Sequence, residues 1–172
     1  MYKINKYDEV IEIKSIPQSS IGAPLPTILA SENNLYLIYY LEETLESWDG
    51  KSIRMITVNS EGESLVIITF NRIYTHLFGP PNDEAISGHP LFNRGLKSYS
   101  AYEIKNSSWI KELEKMNSIH PQHNKENFIK DKRHFIFTFH DSTFECIAKD
   151  LQFDIYKGSI KSAALYLSGL IE

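Results

Sequence analysis

His134-Phe135-Ile136-Phe137-Thr138-Phe139-His140-Asp141-Ser142-Thr143-Phe144-Glu145-Cys146-Ile147-Ala148-Lys149 is the stretch that decides the fold. Every second residue on either side of Asp141-Ser142 is apolar, the period of a strand with one well-covered face. Asp141-Ser142 interrupts that alternation and marks a turn, because Asp bonds its own backbone two residues on. Centred there, Phe139 faces Phe144, Phe137 faces Cys146 and Phe135 faces Ala148, which makes one apolar face. The opposite face pairs His140 with Thr143, Thr138 with Glu145, Ile136 with Ile147 and His134 with Lys149. The stretch therefore reads as a hairpin, and a hairpin calls for an antiparallel sheet.

Outward from this hairpin, Leu35 to Leu41 is apolar or aromatic at nearly every position, so both faces of that strand should be covered. A second hairpin is expected from Ile53–Val58 and Leu65–Phe70, with Glu61-Gly62 at its tip and Gly62 free to adopt a positive φ. Tyr99–Ile104 and Gln152–Tyr156 are short strand candidates. Ser107 or Ser108 caps a helix to about Asn117, with Trp109, Ile110, Leu113 and Met116 at helical spacing. A closing helix runs from about Ser159 to Leu170. Ser15 to Ala30 holds Pro17, Pro24 and Pro26 and reads as an irregular arm. The expected fold is a single α+β domain, residues 1–172, mainly antiparallel β as a curved sheet or sandwich with two short helices.

Composition narrows the function. The chain has 172 residues, 42% hydrophobic and 23% charged, with a formal net charge of −4. Duplex binding normally needs a basic face, and the best cluster here, Lys125, Lys130, Lys132 and Arg133, is interrupted by Glu126 and Asp131. Nucleic acid is not an expected partner. Cys146 is the only cysteine, so no intrachain disulfide forms, which fits a reducing compartment. The N-terminus lacks an apolar signal core, and the longest apolar run is Leu35–Leu41, far short of the roughly 20 residues that cross a membrane. These features together read as a soluble cytoplasmic protein. Nine Phe, ten Tyr and two Trp are assigned mostly to the β core rather than to a stacking surface.

Several groups have the makings of a site. Phe78–Lys97 is shaped by prolines and glycines and is long for a segment without regular structure, which is where scaffolds often carry function. Its polar residues Asn82, Asp83, Glu84, His89 and Arg94 are the candidates for contact with a ligand or partner. His120-Pro121-Gln122-His123 places two imidazoles three residues apart, a spacing that can serve one divalent metal; His89, His140, Asp141 and Glu145 are available to complete a shell. Structural or surface roles for these histidines compete with that reading. His140 beside Asp141, with Glu145, forms a candidate acid–base group, although a plain Asp-Ser turn also explains Asp141. Cys146 points to the apolar face and reads as an inert core thiol. Neither a nucleophile elbow around Ser142 nor a phosphate-cradling glycine loop is present.

Gly22-Ala23 with Leu25, Phe78-Gly79-Pro80-Pro81-Asn82-Asp83-Glu84, Gly88-His89-Pro90, Asn106-Ser107-Ser108-Trp109 and Phe137–Cys146 resemble a family of small bacterial proteins. The resemblance covers about residues 15 to 165. It implies a bacterial single-domain protein and brings no activity, cofactor or catalytic residue with it. Two functional classes follow. The first is a non-catalytic cytoplasmic protein that binds a protein or small-molecule partner through the 78–94 loop and the 140–143 tip. The second is a metal-dependent or His/Asp acid–base hydrolase.

Overall fold

The structure, a computed structural model, describes residues 2–43 and 55–171. Among these, strands β1 (Glu9–Glu12), β2 (Thr27–Ala30), β3 (Leu35–Tyr40), β4 (Glu63–Gly79), β5 (Ala101–Lys105), β6 (Arg133–Thr138) and β7 (Thr143–Gly158) form one antiparallel sheet. Their order is β1-β5-β6-β7-β4-β3-β2. All seven join the one sheet, so the strands are not divided between two hydrogen-bonded sheets. The described α-helices are α1 (Ser108–Asn117), α2 (Lys125–Lys130) and α3 (Ile160–Ser168), one more than the sequence suggests, and the stretch expected to be irregular from Phe78 to Lys97 begins within β4 and holds two short 3₁₀ helices, Ile86–Gly88 and Phe92–Arg94. Asn124 supplies the cap that lets the short α2 form, its Oδ1 accepting from the Asn127 amide. No described helix is long and apolar enough to cross a membrane.

The long strands β4 and β7 pair almost end to end and make the spine of the sheet. Their register shifts between Ile73 and Thr75, beside Arg72 at φ 50°. All six residues of β3 are buried, as its unbroken apolar run demands. Leu35, Leu37 and Tyr39 pack with Val66, Ile68 and Phe70, and with Phe135, Phe137, Phe144 and Cys146 from the other half of the sheet. Phe70 stands at the centre, its ring 5.4 to 6.2 Å from those of Phe135, Phe137 and Phe144. Tyr36, Ile38 and Tyr40 turn to the opposite face, where Ile160, Ala163 and Leu167 of α3 cover them. Ser159 caps that helix, with Ser162 returning the bond.

Two expected pairings differ from those observed. The His134–Lys149 hairpin keeps the expected faces, but its register is displaced by two residues. Thr138 pairs with Thr143, Phe137 with Phe144 and Phe135 with Cys146. A displacement of two leaves every side chain on its face, so alternation cannot detect it. The loop becomes Phe139–Ser142, closed by the Phe139 amide on the Ser142 carbonyl at 2.8 Å. The hairpin expected from Ile53–Val58 and Leu65–Phe70 does not form as expected. Ile53 and Arg54 lie outside the described residues, Met55–Val58 is not strand, and Leu65–Phe70 pairs with β3 and β7 instead. A fully apolar β3 buries more surface against Leu65–Phe70 than a local turn would. In the proline arm, Thr27–Ala30 extends as an edge strand after Pro26. Residues 13–20 instead bridge the sheet's two halves, with the Ile13 amide on the Ala101 carbonyl and the Ser20 amide on the Tyr40 carbonyl.

Candidate functional site

The hairpin tip and the 78–94 loop meet. The Asp83 amide donates to the His140 carbonyl at 2.9 Å, and the Thr143 hydroxyl donates to the Pro81 carbonyl at 2.9 Å. These bonds bring Asp83 Oδ2 within 3.0 Å of His140 Nδ1. The Tyr99 hydroxyl donates to the same Oδ2 and lies 3.4 Å from His140 Nδ1. Tyr99 sits at φ 60°, a left-handed conformation that a bulky residue rarely adopts; such strain is concentrated at functional sites.

The electrostatics follow from this triad. The bond from Tyr99, reinforced by His140 and the Glu84 amide, holds the Asp83 carboxyl below its ordinary range against a smaller opposing effect of burial. Hydrogen bonding to Asp83 raises the His140 imidazole and pushes the Tyr99 phenol up to about 12. With Nδ1 turned to Asp83, His140 Nε2 has no protein partner among the described residues, and the side chain is 44% exposed. This is an oriented imidazole presented to solvent, able to donate or accept at Nε2.

Tyr99 also lines a cavity of about 350 Å³. Its walls come from the 12–19 arm, from Tyr39 of β3, from Ala101 of β5 and from Phe137 to Phe139 at the end of β6. Glu12 and Lys14 contribute one charge of each sign to the lining. The Tyr39 hydroxyl is used by the Pro17 carbonyl at 2.9 Å, and the Thr138 hydroxyl by the Lys97 carbonyl at 2.7 Å. Ser19 is different. It is 5% exposed, lines the cavity, and its buried Oγ has no hydrogen-bond partner among the described residues.

The other expected site residues have structural partners. Asn82 Oδ1 accepts from the Ala85 amide and shapes the turn, while Glu84 is exposed. Arg94 donates to the carbonyls of Asn5, Lys6 and Asp8 and so clips down the N-terminal segment. His89 is 3% exposed. Its Nδ1 accepts from the Leu91 amide, which leaves Nε2–H to donate to Glu145 Oε1 at 3.0 Å. Glu145 Oε2 receives His134 Nε2 at 3.0 Å and the Tyr2 hydroxyl at 2.9 Å. Burial holds the His134 imidazole below its ordinary value, against the pull of Glu145. At neutral pH it is therefore an uncharged donor, consistent with the Ser107 hydroxyl 2.9 Å from its Nδ1. Burial alone would raise the Glu145 carboxyl, but the bonds from His134 and His89 outweigh it and hold the group low. Glu145 and His89 thus form a buried polar knot instead of joining His140.

Asp141 lies exposed on the tip and is not the acidic partner of His140; Asp83, 57 residues away, takes that role. His120 accepts from the Gln122 amide, and His123 lies between Glu114 at 2.9 Å and Asn117 at 3.0 Å. They share no partner with His89. No group of three or more His, Cys, Asp or Glu side chains among the described residues is arranged to hold a metal ion. Sequence reasoning missed Tyr99, Ser19 and the wall formed by residues 12–18; it also missed His134 and Tyr2 in the knot. Only the proline spacing of the arm signalled that its backbone would lie against something other than a strand.

No protein-family model matches the chain, and the comparisons with curated proteins and with solved structures found no match.

Proposed function

We propose that this chain is a non-catalytic protein that binds a small molecule in the cavity between its 12–19 arm and the end of β6. The single observation that carries this reading is the junction at Tyr99. One residue, held in a strained backbone conformation, both lines the cavity and fixes the Asp83–His140 pair beside it. The volume of about 350 Å³ lies within the range of about 300–1,000 Å³ common for ligand sites. Its lining sets apolar Ile13, Ile16 and Ala101 beside polar Gln18, Ser19 and Ser100, so a ligand there meets both kinds of group. Proline shaping of the arm and loop supports a preformed cavity. The 78–94 loop and the hairpin tip are tied to this cavity through Tyr99, which lines it and bonds Asp83 beside His140. A small-molecule partner is favoured over a protein, since the strained Tyr99 lies at a concavity rather than on a flat face. A bacterial, cytoplasmic setting remains part of the proposal, supported by the family resemblance and the lone buried cysteine.

A neutral and charged fragment set, screened by amide chemical-shift changes at pH 7, tests the reading. Fragments that bind should move Ser19, Ala101, Phe139 and His140 together. Hits that move other surfaces and leave these four unmoved would overturn it.

A second reading rests on the oriented imidazole. His140, aligned by Asp83 and open at Nε2, is arranged as a general base would be. Turnover of any bound fragment, abolished by His140→Gln, would establish it in place of the first.

A further inference from the structure

We infer that two copies of this chain pair through the open edge of β7, Leu151–Lys157, as antiparallel strands related by a two-fold axis at Phe153. The edge is open because β6 pairs with β7 only as far as Ala148, while β7 runs on to Gly158. The ladder decides which backbone groups face outward. The Leu41 amide donates to the Ser64 carbonyl, so even-numbered residues of β4 bond β3 and odd-numbered ones bond β7. Opposite Leu65, Ile67 and Thr69 stand Tyr156, Asp154 and Gln152. Leu151, Phe153, Ile155 and Lys157 therefore turn their amides and carbonyls away from β4. The Leu151 amide takes Asp150 Oδ1 at 2.9 Å, and the Phe153 and Ile155 amides have no partner among the described residues. Phe153 is 36% exposed and Ile155 54%, and Tyr166 and Leu170 lie exposed along the groove beside Ile155. An exposed apolar edge of this kind templates another strand.

The sequence of the edge selects a second copy as that strand. Identical antiparallel strands about a two-fold axis set residues of the same parity opposite one another. With the axis at Phe153, Phe153 meets its own copy and Leu151 meets Ile155. On the other face the Gln152 amide meets the Asp154 carboxylate, and the Tyr156 hydroxyl meets Asp150. Moving the axis to Gln152 sets Asp150 against Asp154, and moving it to Asp154 sets that carboxylate against itself. Like charges directly opposite are destabilising, so of the three registers only the one at Phe153 is free of them within 150–156. Lys149 and Lys157 face each other only at the exposed ends.

A strand pair this short is a small interface, so sedimentation equilibrium from about 10 to 500 μM should show the mean mass rise from 19.9 kDa toward twice that value. Phe153→Pro removes an outward amide and no bond within the sheet, and should weaken association about ten-fold or more. Phe153→Glu sets two carboxylates together at the axis and should do the same. Tyr74→Glu, exposed on β4, should leave association unchanged. Urea midpoints show that each variant folds. Under a mild oxidant, Phe153→Cys should cross-link into a covalent dimer faster than Asp154→Cys. A mass that stays at 19.9 kDa throughout would overturn the inference. So would a dimer undiminished in either folded Phe153 variant, or one that Tyr74→Glu weakens as much. Faster cross-linking at 154 than at 153 would overturn it too, and decides the matter if neither Phe153 variant folds.

Discussion

Replacing Glu145 by Gln removes one charge and changes almost no volume, which isolates the buried knot under the sheet. The carboxylate accepts three hydrogen bonds, from His89 Nε2, His134 Nε2 and the Tyr2 hydroxyl. An amide offers one acceptor oxygen and turns an NH₂ toward the remaining donors. His134 can adapt, since Ser107 Oγ is able to accept from Nδ1–H once the ring changes tautomer. His89 cannot, because the Leu91 amide already points at its Nδ1. The amide oxygen therefore stays toward His89 and the NH₂ faces His134 and Tyr2, so the charge-assisted character of the bonds is lost, at about 1.5–3 kcal/mol, and the buried Tyr2 hydroxyl loses its acceptor, at about 1–3 kcal/mol. The expected loss is about 3 kcal/mol, in the range for breaking a buried pair. For a chain of this length that lowers Tm by roughly 6–12 °C. Urea unfolding followed by far-UV circular dichroism measures it, with an unchanged m-value showing that both proteins unfold alike. A midpoint shift worth less than about 1 kcal/mol would refute the three-donor arrangement around the Glu145 carboxylate.

Three further outcomes follow from the same geometry. Asp83→Asn should lower the His140 pKa toward the ordinary imidazole value, because hydrogen bonding to Asp83 is the main cause of its rise; an NMR titration of the imidazole that shows no change would contradict the pairing. Acid should destabilise the fold in two stages. The unfolded His134 takes up a proton near pH 6.5 that the folded one refuses, so stability falls as pH drops through that value. The low Glu145 carboxyl adds a second loss below about pH 4.5, and urea midpoints that stay level from pH 7 to pH 4 would contradict both. The Cys146 thiol, fully buried and pushed up by burial, should react with a thiol reagent only on unfolding, so rapid labelling of the native chain would contradict its place in the core.

Much of the fold is legible because it rests on local pattern. The six apolar positions of Leu35–Tyr40 announce a strand covered on both faces, and Ser107 and Ser159 announce their helices. Alternation from Phe135 to Ala148 gives the faces of the β6–β7 hairpin, yet a period of two is blind to a shift of two, so its register is not legible. The pairing of β4 with β3 was hidden for another reason. Gly62 offers a plausible nearby turn, and only the area buried between distant strands decides against it. The site follows the same division. Asp83 and His140 both stand out as polar residues in a loop and a turn, but nothing local joins them across 57 residues. Asp141, adjacent in sequence, is the more obvious partner and is the wrong one. His89 and Glu145 look like site residues because composition cannot distinguish an exposed imidazole from one whose two nitrogens are already engaged.

The central claim is that a small molecule occupies the cavity beside Tyr99. Its most direct measurement is the affinity of the tightest fragment for the natural chain against Ala101→Phe, with Ile13→Trp as a second blocking variant. Both residues line the cavity and neither touches the Asp83–His140 pair. Expected is a loss of at least ten-fold in affinity in each folded variant while the His140 titration stays in place. Undiminished binding to either folded variant would contradict the claim.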